Sequence, residues 1–162
     1  MKRIDAHTHT WGRDTSELPW QARVLPPEWE GTYTHRQLIA DMDRVGVDET
    51  VIVSTPLYGR GERANEYTMR SIEAHPERLY GVGIMDYFPD SPAALRESLH
   101  RVVGHDRMLG VRMHAGLAYD PIPTDVDRHG EWILDSRLEP VCEEMAELEK
   151  CVFVFPKADQ LS

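Results

Sequence analysis

Five short strand-like runs, the first by period-two alternation, each separated from the next by a stretch with helical spacing, constrain this chain more than any other feature. The runs are "KRIDAHTHT", "ETVIVST", "LYGVGIMDY", "MLGVRMHAG" and "CVFVFP". Between them lie "THRQLIADMDRVGV", "ERANEYTMRSIEAHPER", "SPAALRESLHRVV" and "SRLEPVCEEMAELEK". In the first of these, Leu38, Ile39, Met42 and Val45 recur at helical spacing, with Thr34 as N-cap and Gly46 as the stop. The second closes at His75-Pro76, the third has Ser91 as cap and Pro92 at its first position, and the fourth is an acidic amphipathic helix. Strand and helix alternate throughout, which implies a parallel sheet with helices packed outside it. The strand runs are nearly continuously apolar, as expected when both faces are buried. Two architectures share this rhythm: a doubly wound open sheet of flavodoxin-like topology, and part of a (β/α)₈ barrel. A complete barrel takes about 250 residues, and this chain has 162.

Two segments interrupt the alternation. Residues 11–34 are rich in Pro, Trp and charge, and 117–134 are irregular. Loops as long as the first are functional or disordered in compact domains, and we read it as a loop on the active-site side. No repeat, low-complexity tract or linker divides residues 1–162, so a single domain is expected.

Composition removes several function classes. The net charge of −10, from 28 acidic and 18 basic side chains, would repel a nucleic acid rather than steer it in. No apolar run approaches the roughly 18 residues of a membrane span, and "MKRIDAHTHT" lacks the apolar stretch of a signal peptide. With only Cys142 and Cys151, a disulfide framework is not expected, which suits a reducing cytoplasm.

The chemistry-bearing residues gather at strand ends. Strict alternation would put Asp5, His7 and His9 on one face of the first strand. Two neutral imidazoles at a strand end can converge on one borderline divalent metal. A bare H-x-H pair more often means two strand-end histidines with no ligand. Its position changes that reading, because active sites of parallel α/β proteins form at the carboxyl ends of strands. In the fourth strand Gly110, Arg112 and His114 share a face. Arg112 offers a planar fork matched to a carboxylate, or else a salt bridge to an acidic helix, and His114 is a candidate base or a hydrogen-bonded strand-end histidine. Asp86 reads as a cap or a site acid, and Lys157 as a terminal solvated cation or an anion binder. His75, His100, His105 and His129 have structural or solvated contexts, and Cys142 reads as a packed helical residue. "GVG" at Gly81–Gly83 lies within a strand and lacks the rest of a dinucleotide fingerprint.

"IDAHTHTWG", "LIADMDRVGVDETVIVS", "ANEYTMRSIEAHPERLYGVGIMD", "LGVRMHAG" and "WILDSRLEPVCEEMAEL" together resemble the amidohydrolase-related metal-dependent hydrolases. Within that family the resemblance is to the branch of aminocarboxymuconate-semialdehyde decarboxylase and the pyrone dicarboxylate lactonases. It covers nearly the whole chain in order. It implies the TIM-barrel (β/α)₈ amidohydrolase fold, with strands one to five in this chain. It also implies a divalent metal, zinc before manganese, held by His7 and His9. Arg112 and His114 would then act on a small carboxylated substrate such as a lactone or semialdehyde, by hydrolysis or decarboxylation. The family pattern places a histidine at the end of strand five, where this chain has Phe155, and an aspartate after strand eight, beyond Ser162. Some lactonase relatives in the branch work without a required metal. Five parallel strands leave two open edges, so a partner, such as a second copy, is expected to cover them. The alternative function is a truncated, non-catalytic half-barrel acting only through association with a partner chain.

Overall fold

The structure, a computed structural model, describes residues 1–20, 31–59, 61–87, 89–114 and 135–155. Its strands are β1 (Ile4–Thr8), β2 (Glu49–Val53), β3 (Leu79–Gly83), β4 (Met108–His114) and β5 (Cys151–Phe155). Its α-helices are α1 (His35–Val45), α2 (Asn65–Ala74), α3 (Pro92–Val103) and α4 (Glu139–Glu147), with short 3₁₀ turns before α2 and α4.

Local chemistry sets the helix ends. Thr34 and Gln37 close a reciprocal capping box at the start of α1, and Gly46 ends it in the left-handed region at φ 73°. Ser91 Oγ accepts the Ala94 N–H at the start of α3. Ser91, rather than Asp86, is therefore the cap.

All neighbouring strands are parallel and the sheet order is β1-β2-β3-β4-β5. A doubly wound sheet reverses its order at a switch point. This one never reverses, so the flavodoxin-like alternative is excluded. The helices also lie on one side only. Leu38 and Met42 of α1, Ile72 of α2, Leu99 of α3 and Met145 of α4 share one core cluster with Ile52, Leu79, Met108 and Val111 of the strands. The opposite face carries a smaller cluster made by strands alone: Val51, Val53 and Val82, backed by Tyr80, Leu109 and Phe153. The result is a curled half-barrel whose concave side is the barrel interior.

Alternation fails at two places, both near the candidate site. In β1, Asp5 pairs with Thr50 but Thr8 pairs with Ile52, so β1 holds one extra residue. This bulge flips the phase, and Asp5 falls on the side of Thr8 instead of sharing a face with His7 and His9. In β4 the partners of Gly81 and Val82 are Met108 and Gly110, a second shift. Downstream of it, Val111 and Met113 turn into the helix-side core, leaving Arg112 to the concave face.

Among the described residues, β1 and β5 are edge strands, with Ile4 (58%), Val154 (40%) and Phe155 (51%) exposed. Cys142 also differs from expectation, being exposed. Val141 and Met145 occupy the buried stripe of α4, and the next position round the helix faces water. The long loop is tied at its ends, where Trp11 and Tyr33 exchange backbone hydrogen bonds of 2.9 and 3.1 Å; residues 21–30 lie outside the described residues. No helix among the described residues is long and apolar enough to cross a membrane.

Candidate functional site

The histidine pair stands at the carboxyl end of β1, the rim where parallel strands present catalytic groups. The ring centroids of His7 and His9 are 5.1 Å apart, and the planes are nearly perpendicular. His9 is half-buried, and its Nδ1 lies 2.7 Å from the Val53 carbonyl oxygen at the end of β2. A carbonyl cannot donate, so Nδ1 carries the proton and Nε2 keeps its lone pair. This is the arrangement by which a backbone carbonyl fixes the tautomer of a metal-binding histidine. His7 is more exposed, and its backbone N–H donates to Asp5 Oδ1 at 3.1 Å.

Both imidazoles are held below the ordinary histidine range. For His7, partial burial is the main cause and the Arg112 charge adds to it, while Asp5 opposes. For His9, burial again leads; the Val53 hydrogen bond opposes it, and His7 and Arg112 reinforce it. Both rings are therefore neutral at pH 7, the state required of a ligand.

Arg112 reaches the same place from β4. Its Nη1 is 3.5 Å from the Ser54 carbonyl oxygen, and its guanidinium carbon lies 5.4 Å from the centre of the Phe155 ring. The Tyr87 hydroxyl donates to the Arg112 carbonyl at 2.6 Å and pins the backbone beneath it. His7, Val53, Arg112 and the inner edge of β5 line a cavity of about 270 Å³. A cationic fork and two neutral imidazoles thus meet on one concave wall, which can hold a small carboxylate beside a pair of nitrogen donors.

The donor set is incomplete for a closed metal site. Among the described residues no three His, Cys, Asp or Glu side chains converge, whereas zinc takes three or more protein ligands. Phe155 ends β5 opposite His114 in the ladder and brings no donor. The His114 side chain and Lys157 lie outside the described residues. Of the other histidines read from the sequence, His129 lies outside the described residues, while His75 closes α2, His100 pairs with Glu144 at 2.8 Å, and His105 Nδ1 accepts the Arg107 N–H within a turn.

Sequence reading passed over three supports of this site. Asn65, 7% exposed, clamps both backbone groups of Ile84 just beyond β3, through Nδ2 to the carbonyl at 2.7 Å and Oδ1 to the N–H at 2.8 Å. Tyr87 and the Trp11–Tyr58 pair are the others. The only advance sign of Asn65 was an amide on a helix face that must be buried.

No protein-family model and no curated protein matches the sequence. Solved structures do match in fold. A probable 2-pyrone-4,6-dicarboxylic acid hydrolase from Acinetobacter baumannii, with citric acid bound, superposes at a TM-score of 0.68 with 18% identity, over 99% of this chain and 52% of that one. An amidohydrolase from Burkholderia multivorans with bound zinc gives 0.65 and 16%, over 96% of this chain and 50% of that one. The 5-carboxyvanillate decarboxylase from Novosphingobium aromaticivorans, complexed with manganese and 4-hydroxy-3-methoxy-5-nitrobenzoic acid, gives 0.62 and 18%, over 96% and 50% respectively. The chain therefore has the fold of one half of these barrels and spans about half the length of each.

Proposed function

We propose that this chain supplies the first five strands of a divalent-metal-dependent barrel enzyme of the amidohydrolase-related kind, acting on small carboxylated substrates by hydrolysis or decarboxylation. The observation that carries the reading is the meeting of His7, His9 and Arg112 on one concave wall at the carboxyl ends of parallel strands. The similarity in fold to a hydrolase, a zinc-bound amidohydrolase and a manganese-bound decarboxylase supports the same class.

His7 and His9 would hold the metal, with zinc favoured by imidazole donors and manganese second. A divalent ion held there would supply Lewis-acid chemistry, polarising a carbonyl or activating a water. Arg112 anchors a substrate carboxylate through its fork, and the Phe155 ring beneath the guanidinium restricts where that fork points. His114 is the candidate base. A cytoplasmic location and a second copy against the open edges belong to the same proposal.

A second reading, a non-catalytic half-barrel that acts through association, draws on the exposed apolar residues of β1 and β5. Metal analysis of the purified 162-residue chain separates the two. Near-stoichiometric zinc or manganese that disappears in a His7→Ala/His9→Ala double variant supports the enzyme. A metal content that the double variant leaves unchanged refutes the assignment of these ligands.

A further inference from the structure

A cavity of about 320 Å³ lies between the residues that lead into α3 and those that open α4. Among the described residues it shares no lining side chain with the cavity beside Arg112. Its floor is the Tyr87 ring and the Leu95 side chain, 1% and 4% exposed, and both belong to the core cluster under the helices. Pro89, Pro92 and Pro140 form its sides, and Asp90 and Arg137, both exposed, stand at its rim. The volume falls in the roughly 300–1,000 Å³ range of small-molecule sites, and an apolar wall with a few polar points is the make-up of such sites.

The walls are held before any occupant arrives. Glu144 of α4 pairs with Arg96 of α3 at 3.0 Å and with His100 at 2.8 Å, which fixes the two helices against each other. The Tyr87 hydroxyl is engaged by the Arg112 carbonyl at 2.6 Å, so the ring is held in place and offers the cavity only its π-system. The three proline rings lock the backbone φ on both sides of the cleft. A site with fixed walls loses little in ordering itself around a ligand.

Charge decides the class of ligand. Arg137 is bound to its own neighbour, its Nε and Nη2 donating to the two carboxylate oxygens of Asp135 at 3.0 and 2.8 Å. Asp90 has no hydrogen-bond or ion-pair partner among the described residues. The rim therefore presents one uncompensated carboxylate beside an aromatic floor. An organic ammonium satisfies both, because the ring attracts a cation and the carboxylate pairs with it. We infer that this cleft binds a small organic ammonium ion with an apolar body, seated on Tyr87 and Leu95 with its charge at Asp90. The site stands apart from the function proposed above, since none of His7, His9 and Arg112 lines it.

Phenethylammonium and phenethyl alcohol share a body and differ in charge, so NMR titrations of the two into the 162-residue chain test the site. The salt is set at about 150 mM, which damps unspecific attraction to an acidic protein. The ammonium should bind about five-fold more tightly than the alcohol, and both should shift the Leu95 methyl resonances. Asp90→Asn, at an exposed position, should bring the ammonium down to the affinity of the alcohol. Glu73→Gln, which removes an exposed acid of α2 outside the cleft, should leave the preference intact. Pro89→Trp should fill the cleft and remove binding of both probes; should that variant fail to fold, the two carboxylate variants and the Leu95 methyls decide alone. Equal affinity for the two probes overturns the site. So does a preference that survives Asp90→Asn, one that falls equally with Glu73→Gln, or a set of Leu95 methyls that do not move.

Discussion

Replacing Asn65 with alanine tests the link between the helix layer and the site rim. The Asn65 side chain is the hydrogen-bonding partner of both backbone groups of Ile84, at 2.7 and 2.8 Å, and Ile84 itself is only 2% exposed. Alanine would leave a buried N–H and a buried C=O facing an apolar void. Each such orphan costs about 1–3 kcal/mol, so the pair sums to roughly 4 kcal/mol at mid-range. Alanine at the start of α2 recovers about 0.5 kcal/mol of helix propensity. The expected net loss is therefore ~3–4 kcal/mol, a large share of the stability of an ordinary domain. Urea unfolding followed by circular dichroism measures it, and the midpoint should fall with the slope unchanged. Asn65→Asp is the control: it retains the shape and the acceptor for the Ile84 N–H but sets a second oxygen against the Ile84 carbonyl. It should cost about as much as alanine, because the donor is lost and like dipoles are opposed. A loss below about 1 kcal/mol for Asn65→Ala would refute the reasoning, since the Ile84 backbone must then find other partners at no cost.

Two further outcomes follow from the same geometry. At Gly110 a Cβ would come 1.8 Å from the Cys151 carbonyl oxygen, so Gly110→Ala should cost more than about 3 kcal/mol and detach β5; hydrogen exchange should show β5 amides losing protection first, and an intact β5 would refute the contact. His35 Nδ1 is buried with no hydrogen-bond partner among the described residues, and burial, His75 and Arg36 hold its pKa below the ordinary value. A depressed histidine binds its proton more readily unfolded than folded, so stability should be full above about pH 6.5 and fall as the pH drops below it. His7 and His9 act with the same sign. Urea midpoints between pH 7.5 and 5.5 should show that decline, and His35→Leu should shallow it; a midpoint that rises on acidification would refute the sign.

What could be read in advance depended on how local each determinant was. The α1 ends were legible because the Thr34 box and the Gly46 stop each lie within one turn of the helix they bound. The strand order was not legible, since β-α alternation is the same whether or not the order reverses. It became visible only in the register, where each strand pairs with its neighbours in sequence. Cys142 was misplaced because a helical stripe with Val141 and Met145 inside is satisfied without it.

The candidate site divides along the same line. That His7, His9 and Arg112 stand near one another was legible because the carboxyl end of a parallel strand is a position that alternation itself identifies. Asp5 was grouped with them by period two, and that period holds only in an unbroken ladder. The extra residue in β1 is set by pairing with β2, some 45 residues away, and nothing in "IDAHTHT" marks it. The bulge has a chemical consequence. It leaves the two imidazoles side by side on the concave face and turns the Asp5 side chain to the other side, so that Asp5 accepts the His7 backbone N–H and acts on the ring only as the smallest of three influences, opposing burial and Arg112. A carboxylate among the donors would raise the histidine pKa values and compete with a substrate anion for Arg112. With Asp5 turned aside, burial and the Arg112 charge outweigh it at His7, and the neutral rings stand beside the guanidinium on one wall.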